Sequence, residues 1–212
     1  LVPLLRILDA ADRGALLSAL RDSTFDADVE ASVRETLTAV RQHGDSALLE
    51  LSERFDGVRP DPLRVPTEAL DPDLRATIEQ AADNVRRFHT HEMPASWSHD
   101  DGDGVTVGQR VSPVEIAGLY VPGGTAPLPS SVVMNAVPAL VAGVGRVVVC
   151  SPPAVAGLPH PLILATCRLL GLREVYAVGG AQAVAAMAYG TETVPRVDVV
   201  VGPGNAYVAT AK

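Results

Sequence analysis

Three polar side chains in the C-terminal half stand beside Gly/Pro turns, a placement suited to contact with a small ligand. Tyr120 lies in the apolar run before Pro122-Gly123-Gly124, Gln182 follows Val178-Gly179-Gly180-Ala181, and Asn205 follows Val201-Gly202-Pro203-Gly204. A phenol and two carboxamides can both donate and accept hydrogen bonds. Each also has a structural use: Asn205 either caps the next helix or holds a ligand, Gln182 either satisfies local backbone or contacts a ligand, and the Tyr120 ring either packs or binds. The stretch GLYVPGGTAPLPSS gathers glycines and prolines into a shaped turn rather than a slack linker, with Thr125, Ser130 and Ser131 supplying hydroxyls. Ser130 is expected to cap the following helix, and without a GxSxG elbow a hydrolase triad has no support.

Metal and thiol chemistry find little footing. The five histidines are His43, His89, His91, His99 and His160. His89 and His91 are two apart on an expected helix and so point to different faces, and no HExxH or Cys/His spacing accompanies them; no metal site made wholly within these residues is expected. Cys150, at a strand end with no histidine nearby in sequence, reads as a small buried hydrophobe rather than a nucleophile. Cys150 and Cys167 form no CxxC pair, which fits a reducing compartment.

The elements that must position the polar trio show a countable rhythm. Apolar runs begin at Leu119, Val147, Val175 and Val199, separated by 28, 28 and 24 residues, with helical stretches SSVVMNAVPALVAG, HPLILATCRLLG and AQAVAAMAYG between them. Runs apolar at successive positions imply strands covered on both faces, hence a parallel sheet with right-handed crossovers. Each run ends in a Gly/Pro turn: VPGG at 121–124, CSPP at 150–153, VGG at 178–180 and VGPG at 201–204. All four should emerge at the carboxyl edge and define one site, three of them leading directly toward helix N-termini whose free amides favour phosphate or another anion. Neither GxGxxG nor GxxxxGK[ST] is present, so no standard phosphate loop is claimed.

Upstream the pattern is helical. Val29, Val33, Leu37 and Val40 share one face before Gly44 stops the helix and Asp45 caps the next. A second helix is expected with Asp71 as cap, Pro72 in its first turn, and Leu74, Ile78, Val85 and Phe88 along one face. VTVGQRVSPVEIAGLYV, from Val105, reads as one or two short strands broken at Pro113. The opening LVPLLRILDA, interrupted by Arg6 and Asp9, is too short for a signal peptide or membrane span.

Across 212 residues the chain is 47% hydrophobic and only 4% aromatic, so its core must be aliphatic, as suits an α/β protein. The net charge of -8 sits in the first half: residues 1–110 carry 21 acidic and 12 basic side chains, residues 111–212 only 4 and 5. No basic stripe is available for a phosphate backbone, which argues against nucleic-acid binding; the expected protein is soluble, cytoplasmic and without membrane association.

The motifs GLYVPGGTAPLPSSVVMNAVPALVAGV (118–144), VVVCSPP (147–153), EVYAVGGAQAVAAMAYGTETVPRVD (174–198) and VGPGNAYVATAK (201–212) resemble the histidinol dehydrogenase family, in the family's order. The helical region before them has the same character. The resemblance implies a zinc-dependent homodimer that oxidises L-histidinol to L-histidine through histidinaldehyde with two NAD+. It matches Tyr120, Gln182 and Asn205 to NAD-contacting positions. It implies a mainly helical region over 1–116, belonging in part to the first domain, and a Rossmann-like NAD-side domain over 117–212. The family's zinc ligands and its Glu-His acid/base pair are expected downstream of Lys212, so no catalytic or metal residue is assigned and the isolated chain is expected to lack turnover. Two alternatives stand beside this reading: a related zinc/NAD dehydrogenase of another small hydroxylated metabolite, and a non-catalytic ligand-binding module.

Overall fold

The structure is a computed structural model that describes residues 27–67, 72–123, 127–154 and 156–212, with Asp12 and Gly14. The opening LVPLLRILDA, Asp71 and Thr125 lie outside the described residues.

The first element, α1 (Ala27–Asp56), runs for 30 residues and is bent at Gly44 (φ 53, ψ −130). Glycine adopts this positive φ without a Cβ penalty, so the expected stop is realised as a sharp kink between two helical arms. Asp45 does not spend its carboxylate on a local cap. It accepts instead from Thr191 Oγ1 at 2.5 Å and from the Thr193 hydroxyl, while its own N–H donates to Glu192 at 2.8 Å. The kink is thus the docking point for a segment nearly 150 residues away in sequence.

Next come β1 (Arg64–Val65), α2 (Pro72–Glu92), β2 (Trp97–Asp100) and β3 (Thr106–Gln109). Along α2 the stripe that buries is Ile78 and Ala82, with Val85 half-buried, against Val133 and Val137. Leu74 and Phe88, expected on this face, are exposed at 47% and 60%, because the covering residues reach only the middle of the helix. The stretch from Val105, expected as one or two short strands, forms two: the first, β3, joins β2 in a separate antiparallel hairpin, Trp97 opposite Gln109 and Asp100 opposite Thr106, with every residue of both strands exposed.

The second half follows the counted rhythm: β4 (Ile116–Tyr120), α3 (Pro129–Val141), β5 (Arg146–Ser151), α4 (Pro161–Leu169), β6 (Glu174–Ala177), α5 (Gly180–Tyr189), β7 (Val199–Val201) and α6 (Ala206–Ala211). The sheet order is β1-β6-β5-β4-β7. The four strands read from the sequence are parallel, and the two-residue β1 adds an antiparallel edge that the sequence reading did not foresee. One sheet face packs Leu119, Val147, Val149 and Val175 beneath α3 and α4. The other packs Tyr120, Val148, Cys150 and Tyr176 beneath α5 and the α1 arms, with Val208 of α6. Such two-sided burial, at about 1.5 to 3 kcal/mol for each fully buried aliphatic side chain, is why these strands read as continuous apolar runs.

At the amino edge, Asp198 Oδ2 accepts from the N–H groups of Glu115 and Ile116 at 3.0 and 2.8 Å. The Asp198 N–H in turn donates to the Ile116 carbonyl at 3.0 Å, fixing where β7 meets β4. We predict that Asp198→Ala lowers stability by about 1 to 2 kcal/mol, the scale of charge-assisted hydrogen bonds discounted for exposure. Urea denaturation followed by circular dichroism checks this, and an unchanged midpoint would remove Asp198 from the register.

Candidate functional site

β4 is flanked by β5 on one side and β7 on the other, although β7 comes last in sequence. After β4 the chain passes to α3 on one face, and after β7 to α6 on the other. A crevice therefore opens at the carboxyl edge between these exits, the usual ligand position in open α/β sheets. A cleft of about 520 Å³ lies there. Its lining takes Pro122 and Gly123 from the first turn, Pro152 from the second and Gly180 from the third, with Asn205 just beyond the fourth. Three of the four turns thus line one cleft, and the fourth reaches it only through Asn205, the residue that follows it.

Their relation to helices is less uniform than expected. VGG runs straight into α5 and VGPG into α6, whereas VPGG and CSPP are each followed by several further residues before α3 and α4. Ser130 is not a cap either. Leu128 occupies that position without a side-chain bond, because Pro129, with φ suited to a first helical turn, starts the helix two residues earlier than a Ser130 cap would. His160 caps α4, its Nδ1 accepting from the Leu162 N–H at 3.1 Å.

Tyr120, Gln182 and Asn205 all line the cleft. Tyr120 is 5% exposed, with its hydroxyl accepting from the Gly180 N–H at 3.2 Å. That bond draws on one of the unpaired amides at the start of α5 and leaves the phenolic proton free to donate. Burial raises the Tyr120 pKa, the Gly180 amide opposes this, and the nearby Asp56 charge adds to the rise, so the phenol is neutral at physiological pH. Gln182 is buried at 2% exposure and folds back over the helix start: a Cβ on Gly180 (φ +63) would lie 2.5 Å from Gln182 Oε1. The positive φ favours glycine here, and any Cβ would also push the carboxamide aside. Asn205 realises its structural use, Oδ1 accepting from the Val208 N–H at 3.1 Å, while the same residue borders the cleft.

The sequence reading missed the wall opposite the sheet edge. Ser32 and Thr36 from the first arm of α1, and Phe55 and Asp56 from the second, share the cleft with Tyr207 of α6. Phe55 and Tyr207 are 51% and 45% exposed. A signal was present in RFDG: an acidic residue at a helix C-terminus sits at the unfavourable end of the helix dipole. Asp56 Oδ2 is buried without a hydrogen-bond partner, and desolvation raises the carboxyl pKa.

The two thiols are not part of this site. Cys150 and Cys167 are fully buried, and burial pushes both thiols up to about 12, so Cys150 is the small hydrophobe its position suggested. Among the described residues no group of three or more His, Cys, Asp and Glu side chains could hold a metal ion. The described residues therefore do not supply a ligand set for zinc.

Residues 19–212 match the family model described as Histidinol dehydrogenase. The chain belongs to the histidinol dehydrogenase family. It is 48% identical over 217 residues to the histidinol dehydrogenase of Chlorobium luteolum, covering 99% of this chain and 48% of that protein. To that of Parasynechococcus marenigrum it is 49% identical over 192 residues, covering 87% and 44%. The crystal structure of histidinol dehydrogenase from Elizabethkingia anophelis shares the fold, with a TM-score of 0.82, 33% identity, and coverage of 89% of this chain and 45% of that one. The chain spans about half the length of the relatives it matches. Among the described residues no helix is long and apolar enough to cross a membrane.

The raised Asp56 pKa has a definite sign in stability. A carboxyl whose folded pKa lies above its ordinary value of 3.8 stabilises most when protonated, and that contribution is lost as pH rises through the folded pKa. At neutral pH the ionised Asp56 opposes folding. We predict that Asp56→Asn raises the urea midpoint at pH 7 and that the gain shrinks as pH falls toward 3.8. A lower midpoint at pH 7 would contradict the unpartnered, desolvated state of this carboxylate.

Proposed function

We propose that this chain is the NAD-binding side of a histidinol dehydrogenase, with residues 117–212 in a Rossmann-like domain and residues 1–116 as a mainly helical region that forms part of the first domain. The whole protein would oxidise L-histidinol to L-histidine through histidinaldehyde with two NAD+. The observation that carries this reading is the convergence of Tyr120, Gln182 and Asn205, from three separate elements, on one cleft at the switch point of the sheet. Family membership supplies the substrate class.

The donor set fits a dinucleotide. The phenol of Tyr120 and the carboxamides of Gln182 and Asn205 offer hydrogen bonds without fixed charge, and the start of α5 adds backbone amides suited to a pyrophosphate. Pro122, Pro152, Phe55 and Tyr207 give apolar walls against which rings can lie. When bound, NAD+ supplies the hydride acceptor. This chain's residues would bind and orient it: Tyr120 donates its free proton, Gln182 is held over Gly180, and Asn205 donates from Nδ2 while Oδ1 serves the helix cap. Zinc, the acid/base pair and most substrate contacts would come from residues outside 1–212, in a cytoplasmic homodimer.

Asn205→Asp separates the two uses of that residue, since a carboxylate can still accept from Val208 N–H but cannot donate. In the intact enzyme we predict that Asn205→Asp and Gln182→Ala each raise the KM for NAD+ by about tenfold or more, equivalent to about 1.4 kcal/mol, with the KM for L-histidinol little changed. Steady-state kinetics with each substrate varied would test this. Unchanged NAD+ kinetics in both variants would remove the cleft from cofactor binding, and zinc-loaded intact protein that leaves L-histidinol unoxidised would exclude the substrate.

A further inference from the structure

One group on the cleft wall is left unused by the contacts above. Asp56 closes α1, where the helix's last carbonyls already carry partial negative charge, so an acid there stabilises nothing locally. Its Oδ2 is buried without a partner, yet the residue borders the cleft and lies close enough for its charge to act on Tyr120. Buried acceptors are nearly always satisfied in native proteins; of the three buried side-chain oxygens left unpaired among the described residues, on Ser52, Asp56 and Ser151, only that of Asp56 belongs to a residue lining the cleft.

The surroundings narrow what that donor is. Among the described residues lining the cleft Asp56 is the sole carboxylate, Tyr120 and Tyr207 are the other titratable side chains, and no Lys or Arg is present. Phe55, adjacent in sequence, and Tyr207 expose flat rings to the same space, suited to a purine. A carboxylate beside a base-binding surface is matched by a vicinal diol, whose two hydroxyls can both donate to it. On the reading of the cleft as a dinucleotide site, we propose that Asp56 accepts hydrogen bonds from the 2′- and 3′-hydroxyls of the adenosine ribose and so selects NAD+ against 2′-phosphorylated NADP+. A 2′-phosphate would remove one donor and set its negative charge against the carboxylate, with no lining cation to offset the repulsion.

The selecting residue comes from a helix sixty residues before the parallel sheet, so no spacing rule for dinucleotide folds would find it. The test uses the intact protein and equilibrium titration with NAD+, NADP+ and NAD+ lacking the adenosine 2′-hydroxyl. In the wild type, NAD+ is expected to bind at least about tenfold more tightly than either analogue, a difference the scale of one charge-assisted hydrogen bond supports. Asp56→Asn is expected to weaken NAD+ by about tenfold, to leave NADP+ unchanged or tighter, and to bring the 2′-deoxy analogue level with NAD+. Equal wild-type affinity for NAD+ and the deoxy analogue would overturn the assignment without recourse to any variant. So would a parallel loss of all three ligands in Asp56→Asn, which marks a general structural effect. If Gln182→Ala weakens NAD+ while Asp56→Asn does not, the assignment alone fails; if Gln182→Ala and Asn205→Asp both bind NAD+ normally, the reading of the cleft fails and takes the assignment with it.

Discussion

β7 pairs with β4, not with the β6 that precedes it, and the site depends on that pairing. Hydrogen bonding on that edge puts the last strand beside the first of the parallel set, so their exits leave for opposite faces and a crevice remains between them. A β7 laid outside β6 would carry Asn205 to the far edge of the sheet, away from Tyr120. The clasp at Asp198 acts at the other end of the same pair, where its carboxylate meets two amides at the start of β4. Because strands have a two-residue period, holding that end in register also decides which side chains face which core.

The bend in α1 completes the enclosure. Ser32 and Thr36 lie about twenty residues before Phe55 and Asp56, a separation of roughly 30 Å in a straight helix at 1.5 Å per residue. Bending at Gly44 brings both arms to one cleft of about 520 Å³. Asp45, engaged by Thr191 and Thr193, then ties the bend to the segment that leads into β7. One carboxylate thereby couples the helical wall to the strand that carries Asn205 toward the site, adding specific polar contacts to the apolar packing of Val40, Ala47 and Leu48 in the cluster that also holds Val194 and Val197.

How far the sequence could be read follows from which forces are local. The four parallel strands, their intervening helices and the edge bearing the ligand turns come from period and turn chemistry, both visible in a linear chain. Tyr120, Gln182 and Asn205 stand beside those turns, so their convergence follows once the sheet forms. The two-residue β1 was invisible because its pairing with Tyr176 and Val175 rests on long-range geometry rather than on any pattern of its own. Phe88 looked like core by spacing, yet a helical stripe is buried only as far as the facing element extends. Asp45 looked like a cap, but competing hydroxyls from residues 191–193 captured its carboxylate. Asp56 carried a cue, an acid at the wrong end of a helix, whose meaning required knowing that the helix end borders a cleft.

The buried titratable groups around this sheet illustrate two different bargains with solvent. Cys150 sits fully buried as a neutral thiol, and its pKa of about 12 means that it gives up an ionisation it does not use. Asp56 cannot be neutral at physiological pH without a large upward shift, so its partial burial opposes folding for as long as the cleft is open. In the proposed reading a bound ligand supplies the partner that the chain itself does not give this carboxylate. With neutral donors from Tyr120, Gln182 and Asn205 and no cation on the lining, the cleft in the proposed reading binds an anionic dinucleotide mainly through dipoles. Its one fixed charge is then spent on discrimination, since a lone carboxylate rewards a hydroxyl and repels a phosphate at the same position.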